Sequence, residues 1–239
     1  MSAKKVFNAD EVAASILKSP KYRAIAPDAV NRIAAEECRK GGADCEKRAR
    51  NRLHQIADAF MNQKEQSMLW DMLERGDLDA ALGQHASTRE RMATRGEYMS
   101  LIARHCPPGG IICDAACGLD IQMTCVDVIN AWARRESWDV KAEGADLLGR
   151  AELPKSDLTL FMKLLPVLDA QRAGEGMRLL SLSSSPRVIV SFPTRTLGGR
   201  GVGMERNYGE RFESALPGEF EICERMATGN ELFYALRRV

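Results

Sequence analysis

The chain has 239 residues, of which 45% are hydrophobic and 28% charged, and its net charge is +1. That length suits one α/β domain with a helical extension, or two small domains, and the composition excludes a disordered or fibrous protein. No run approaches the apolar length of a membrane span and the opening Met1-Ser-Ala-Lys-Lys5 lacks the apolar core of a signal peptide, so a cytoplasmic protein is expected.

The first hundred residues read as all-helical. Asn8-Ala-Asp-Glu11 can cap a helix running to about Lys18, with Val12, Ile16 and Leu17 on one face. Pro27-Asp28 starts a second helix through Cys38, which Gly41-Gly42 ends. A third starts at Asp44 and carries Lys47, Arg48, Arg50 and Arg52 before Leu53, Ile56 and Phe60. Further helical pattern covers Gln63–Arg75, Leu78–Gln84 and Glu97–His105. Residues 1–60 hold twelve Lys/Arg against eight Asp/Glu, a surplus of four positive charges. The cluster at 47–52 is either a solvated helix face or a patch that meets phosphates.

Pro107-Pro-Gly-Gly110 is the clearest punctuation and divides a helical region, 1–106, from a sheet-bearing region, 107–239. After it, strand and helix signals alternate: a strand at Ile111–Cys113, a helix at Thr124–Arg135, a strand at Asp139–Ala145 ending at Asp146, and a strand at Ser156–Met162. A helix at Gln171–Leu182 and a strand at Arg187–Phe192 follow, and the segments around Gly229-Asn230 read as a final hairpin. This order suits a Rossmann-like methyltransferase sheet in the α/β class. The seven cysteines (38, 45, 106, 113, 117, 125 and 223) mostly sit in apolar runs and read as reduced packing residues. Cys113 and Cys117 lie four apart without a second pair or nearby His, so no metal site is expected.

The most informative stretch is Asp114-Ala-Ala-Cys-Gly-Leu119, directly after the first strand. An acid at a strand tip followed by Gly118 is how doubly wound methyltransferases receive S-adenosylmethionine, because glycine lets the backbone approach the cofactor where a Cβ would collide. Ala116 and Gly118 then line the cofactor by their backbone. Further on, the loop Thr196–Gly203 holds glycines at 198, 199, 201 and 203 between Arg195 and Arg200, a segment that can order on RNA with its arginines on phosphates.

Several boxes in one order carry a family resemblance. They are Ser19-Pro-Lys-Tyr-Arg23 with Ala26-Pro-Asp28, Arg52-Leu-His54 with Ala59-Phe60, and His85-Ala-Ser-Thr-Arg-Glu-Arg91. Asp114–Leu119, Lys163-Leu-Leu-Pro166, Ser191-Phe-Pro-Thr-Arg-Thr-Leu-Gly198 and Gly203-Met-Glu-Arg-Asn-Tyr208 continue the series. On these the chain resembles the aminoglycoside-resistance 16S ribosomal RNA guanine-N7 methyltransferases.

The resemblance implies methyl transfer from S-adenosylmethionine, leaving S-adenosylhomocysteine, to N7 of one guanine in the aminoglycoside site of the assembled 30S subunit. The added methyl and positive charge would oppose the drug's ammonium groups. It implies that Arg91 pairs with the methionine carboxylate and Thr88 supports it, while His85 is structural. Asp114 and Gln171 are further cofactor residues, Asp146 accepts from the adenine amino group, and Leu147 packs on the ring. Lys163, Met204 and Asn207 face the target base. N7 has a free lone pair, so no general base is expected and the work is alignment and electrostatics. Lys47, Arg48, Arg50, Arg52, Arg195 and Arg200 are the implied RNA contacts. The family often has Lys where Val202 stands, which puts one contact in doubt. A-form RNA hides N7 in a narrow groove, so flipping or distortion of the target is expected. No oligomerisation seam is evident, and a monomer is the default.

One departure matters. An acid that holds the ribose belongs roughly twenty residues beyond the glycine turn, but here Gly118-Leu119 runs at once into Asp120-Ile121. The family continues with Asn-Pro-Leu, a helix and a second strand before an Asp-Ile pair. Asp120 and Ile121 therefore match that later pair, and a segment of roughly fifteen to twenty-five residues is absent before them. Either the protein carries that segment and it is missing from this sequence, which the coherence of the rest favours, or the deletion is real, and a real deletion would remove a sheet strand and impair cofactor binding. Alternatives to the guanine-N7 enzyme are thus a ribosome-binding protein without catalysis, and an rRNA methyltransferase acting on a neighbouring base, such as adenine N1.

Overall fold

The computed structural model describes residues 8–22, 25–57, 63–115, 123–194 and 204–239. The chain divides into two compact units, residues 1–90 with 118–149, and residues 91–117 with 150–239.

The first unit is helical. Helix α1 (Ala9–Lys18) starts where Asn8 accepts a 3.0 Å hydrogen bond from the Asp10 amide. Helices α2 (Pro27–Arg39) and α3 (Cys45–Ala57) follow, with Pro27 in the first turn of α2. Gly41, at φ 73°, ends α2 in a left-handed turn whose amide reaches the Cys38 carbonyl at 2.9 Å. Val12, Ala13 and Ile16 of α1, Val30, Ile33 and Ala34 of α2 and Ala49 and Leu53 of α3 recur at helical spacing and close one core over Tyr22 and Ile25. Helices α4 (Gln63–Arg75), α5 (Leu78–Gln84) and α6 (Ala86–Met92) come next in sequence. A second core joins Leu69, Met72 and Leu73 of α4 and Ala81 of α5 to Val128 and Trp132, which belong to a later helix, α8 (Met123–Glu136).

The second unit carries the sheet. Helix α7 (Arg95–His105) leads to β1 (Ile112–Asp114), and β2 (Leu158–Met162) pairs parallel with both β1 and β3 (Arg187–Pro193). Between β2 and β3 lie α9 (Leu165–Gln171) and α10 (Glu175–Leu182). Helix α11 (Met204–Ala215) precedes the antiparallel hairpin of β4 (Phe220–Ala227) and β5 (Glu231–Arg238). The order is β1-β2-β3-β5-β4, with β5 antiparallel to β3. All five residues of β2 are buried, as a strand covered on both faces requires, whereas β4 alternates and presents charged residues on the sheet edge. Leu101 and Ile102 of α7 pack on one face with Leu158, Leu160, Ile189 and Phe233.

Three sequence expectations change. The strand expected at Asp139–Ala145 is not formed: residues 138–146 have no ladder among the described residues. A strand needs a neighbour for its amides, and here the side chain of Asn130 supplies one instead. Its Nδ2 donates to the Ala142 carbonyl at 2.9 Å and its Oδ1 accepts from the Ala142 amide at 2.8 Å. The helix expected at Gln171–Leu182 starts later, as α10 at Glu175, because Gly174 at φ 83° precedes it, and Gln171 instead ends α9. Helices α6 and α11, and α9 up to its last residue, occupy stretches with no expected element.

Candidate functional site

The C-terminal tips of β2 and β3 and the start of β5 gather a buried ionic cluster. Glu231 is fully buried. Arg91, in the last turn of α6, directs Nε to both carboxylate oxygens of Glu231 at 3.2 and 3.0 Å. The Lys163 ammonium lies 3.6 Å from Glu231 Oε2. Ser191 on β3 donates its hydroxyl to Glu231 Oε1 and accepts the Lys163 amide at 3.0 Å.

Lys163 sits just beyond β2 at φ 56°, a conformation that costs a non-glycine residue energy and is held where surroundings impose it. Its amide is fixed from two sides, by the Ser191 hydroxyl and by the Ser191 carbonyl at 3.1 Å. The buried carboxylate thus meets two cations, Arg91 and Lys163. Arg91 also keeps Nη2 buried with no hydrogen-bond partner among the described residues. A buried guanidinium nitrogen lacking an acceptor is costly unless an anion completes it. The arrangement suits a carboxylate.

Other expected cofactor residues fall as follows. Asp114 ends β1 and is exposed at the same strand-tip edge as Lys163, while the next amide, of Ala115, bonds the Leu160 carbonyl at 3.1 Å. Gln171 keeps a buried Oε1 without a hydrogen-bond partner among the described residues. Thr88, one turn before Arg91, has its hydroxyl 3.3 Å from His85 Nδ1. Asp146 does not end a strand. It lies in the first unit, ion-paired through Oδ2 with Nε of Arg32, while Oδ1 accepts the Leu148 amide at 3.3 Å. Leu147 beside it is half-buried. Ala116, Gly118, Asp120 and Ile121 lie outside the described residues, as do Arg195, Arg200 and Val202.

Met204 opens α11, with its side chain outside what is described, and Asn207 is exposed one turn on. Helix α11 is fixed to the sheet by aromatic packing. Phe192 of β3 stacks on Tyr208 at 5.6 Å between centroids and meets Phe212 at 5.0 Å, and Phe212 meets Tyr234 of β5 at 4.9 Å.

The basic cluster on α3 is less free than its composition implies. Lys47 is exposed, but its neighbours are engaged. Arg48 bonds Glu37 Oε2 at 3.1 Å and the carbonyls of Glu37 and Gly41 at 2.8 Å each, tying the end of α2 to α3. Arg50 bonds Glu46 and the Ser15 carbonyl and lies over the Tyr22 ring, and Arg52 bonds Glu36 and Glu37. Burial pushes the Glu37 carboxyl up, but hydrogen bonds from Lys40 and Arg48 more than offset it and hold it below the ordinary carboxylate range. Burial and then Arg52 act on Glu36 in the same balance, with the same net direction.

Sequence reading missed Glu231 and Ser191. The signal available was a lone acid opening the wholly apolar run Leu232-Phe-Tyr-Ala-Leu236.

Parallel strands closed by an antiparallel hairpin, with an acid and a strained lysine at the strand tips, define a Rossmann-like S-adenosylmethionine-dependent methyltransferase. The model of the ribosomal RNA methyltransferase (FmrO) family matches residues 18–152 and 120–234, and the second span opens at Asp120, where the sequence departs from the expected order. A 16S rRNA (guanine(1405)-N(7))-methyltransferase of Serratia marcescens is 39% identical, covering 97% of this chain and 99% of its own. The alignment runs over 249 positions, more than the 239 residues here, so that relative carries residues with no counterpart in this chain. The enzyme of the same name from Micromonospora echinospora is 31% identical over 96% of each chain. The crystal structure of the 16S rRNA methyltransferase RmtF with S-adenosyl-L-homocysteine superposes at a TM-score of 0.88 with 36% identity, covering 100% of both chains. The chain belongs to the ribosomal RNA methyltransferase (FmrO) family.

Proposed function

We propose that this protein methylates N7 of a guanine in the aminoglycoside-binding A-site of 16S rRNA, in the assembled 30S subunit, and thereby confers aminoglycoside resistance. The observation that carries the reading is the buried Arg91 Nη2, without a hydrogen-bond partner among the described residues, beside the Lys163–Glu231 pair at the strand tips. A buried guanidinium donor of this kind suits the methionine carboxylate of the cofactor.

S-adenosylmethionine, when bound, supplies a methyl group activated on a sulfonium. Arg91 holds the carboxylate end, with Thr88 and Gln171 beside it in role, and Asp114, Ala116 and Gly118 line the strand-tip turn. Asp120 and Ile121 are assigned to the ribose on the sequence match alone. Asp146 retains acceptor capacity for the adenine amino group while bound to Arg32, since a carboxylate offers about four lone-pair sites, and Leu147 packs on the ring. Lys163, Met204 and Asn207 orient the base. N7 needs no proton removed, so no residue is asked to act as a base and the rate comes from alignment. The helical region 1–106, with Lys47, Arg48, Arg50 and Arg52, docks on rRNA, and Arg195 and Arg200 meet phosphates near the target. The partner is the 30S subunit, the enzyme works as a monomer in the cytoplasm, and among the described residues no helix is long and apolar enough to cross a membrane.

A second reading, a ribosome binder without catalysis, is favoured by the unformed strand at 139–145. One experiment separates the two: transfer from labelled S-adenosylmethionine to purified 30S subunits, mapped by cleavage at N7-methylguanine. A single modified guanine in the drug site is expected. Subunit binding without transfer would establish the binder, and label on adenine N1 would move the target.

A further inference from the structure

We infer that Glu231 is a positioning residue of the methyl-transfer site, setting both the orientation of Arg91 and the charge of Lys163, and is more than a clasp of the fold. The inference rests on the proposed role of Arg91 toward the methionine carboxylate.

Three observations meet at this carboxylate. First, Glu231 takes Arg91 by Nε, at 3.2 and 3.0 Å to its two oxygens, and not by the terminal fork. A guanidinium held at Nε keeps its terminal nitrogens for other acceptors, and one of them, Nη2, is buried with no hydrogen-bond partner among the described residues. Second, the same carboxylate lies 3.6 Å from the Lys163 ammonium, on a residue whose backbone is held at φ 56°. A methyl donor that carries a positive sulfonium, and a base that becomes positive on N7-methylation, both disfavour an uncompensated ammonium nearby. Glu231 neutralises it. Third, the carboxylate is itself fixed: Ser191 donates to Oε1, and the Glu231 backbone carbonyl accepts the Thr228 amide at 2.8 Å and the Thr228 hydroxyl at 3.2 Å. A fully buried carboxylate so held has one geometry to offer its partners.

A purely structural acid would need no orphaned donor on its partner. The α2–α3 carboxylates Glu36 and Glu37 serve that structural purpose, and no arginine bound to them keeps a buried nitrogen without a partner among the described residues.

The test uses the full chain with S-adenosylhomocysteine as the calorimetric probe. Glu231→Gln keeps the shape and removes the negative charge that meets Arg91 and Lys163. It is expected to weaken binding of S-adenosylhomocysteine about tenfold and to raise KM for S-adenosylmethionine by a similar factor, as loss of a charge-assisted pair does. Binding to 30S subunits should stay within about twofold, because the proposed rRNA-docking residues Lys47, Arg48, Arg50 and Arg52 lie on α3 and are untouched. Arg91→Lys completes a cycle: if Glu231 acts through Arg91, E231Q in the R91K background costs less than about threefold, and additive losses overturn the inference. A folded E231Q that binds S-adenosylhomocysteine as the parent does overturns it as well. Should E231Q fail to unfold cooperatively, Ser191→Ala takes its place, with a loss of about threefold expected from one hydrogen bond and an unchanged affinity overturning the inference. If the parent chain itself neither binds S-adenosylhomocysteine nor transfers methyl, the proposed function fails and this inference with it, an outcome distinct from failure in the variants alone.

Discussion

Two ionic clusters, one in each unit, use the same residue types to opposite ends. Between α2 and α3, Glu36 and Glu37 are met by Arg32, Lys40, Arg48 and Arg52, and Arg48 spends its remaining donors on the carbonyls at the end of α2. At the strand tips, one carboxylate is met by Arg91 and Lys163 and a guanidinium nitrogen is left over. A closed network stabilises. An open one is incomplete until a ligand arrives, and that incompleteness marks the site more surely than the charge does. Charge count alone would have ranked the α3 cluster first.

Breaking the closed network should give the largest effect. Glu37→Ala leaves three cations without their shared acceptor and is expected to lower stability by about 3 kcal/mol in urea unfolding, while the surviving folded fraction keeps its affinity for S-adenosylhomocysteine. Equal damage to cofactor binding would erase the distinction between the clusters. Arg91→Lys acts on the open network: it keeps the charge beside Glu231 but offers no second nitrogen. A fall of about 30-fold in kcat/KM, roughly 2 kcal/mol, is expected with little change in Tm. A large fall in Tm with kcat/KM intact would reverse the assignment.

Acid sharpens the contrast in the first unit. Glu36, Glu37 and Glu46 all have carboxyls held below the ordinary value of 4.5, so their stabilisation is complete above it and is lost as pH falls through the lowered values. Burial, then Arg52, act on Glu36; burial, then Lys40, on Glu37; Arg50 leads on Glu46. Thermal melts followed by circular dichroism should be flat from pH 7 to near 5 and fall below 4.5. A decline that begins near neutrality would point to other groups. The smallest effect expected is from Lys47→Glu. That side chain is exposed, so reversal should weaken 30S binding about threefold with unchanged Tm, the weakening fading at high salt. Arg48→Glu should instead unfold the end of α2, because its guanidinium is part of the clasp.

Local chemistry explains how much of the fold was legible. Asn8, Pro27 and Gly41 announce helix ends by their own backbone and side-chain preferences, and α1 to α5 fall close to the expected bounds. The apolar runs at 158–162 and 187–193 are strands because both faces are covered. The segment at 139–145 has strand composition but no strand beside it among the described residues, and propensity cannot supply a neighbour. Arg91, Lys163 and Asp114 were named from motif and strand-tip position. Glu231 was not, since it lies 140 residues from Arg91 in sequence and the two meet only in the fold.

The left-handed backbone at Lys163 has a consequence for anyone engineering this chain. Glycine would adopt φ 56° freely, so Lys163→Gly would relax a strain on the order of 1 kcal/mol and delete the ammonium in the same step. That relief is set against loss of the ammonium beside the fully buried Glu231 and against glycine's greater freedom in the unfolded chain. The strain at the tip of β2 is thus one that heat resistance alone gives no reason to remove, and selection for drug survival would retain it.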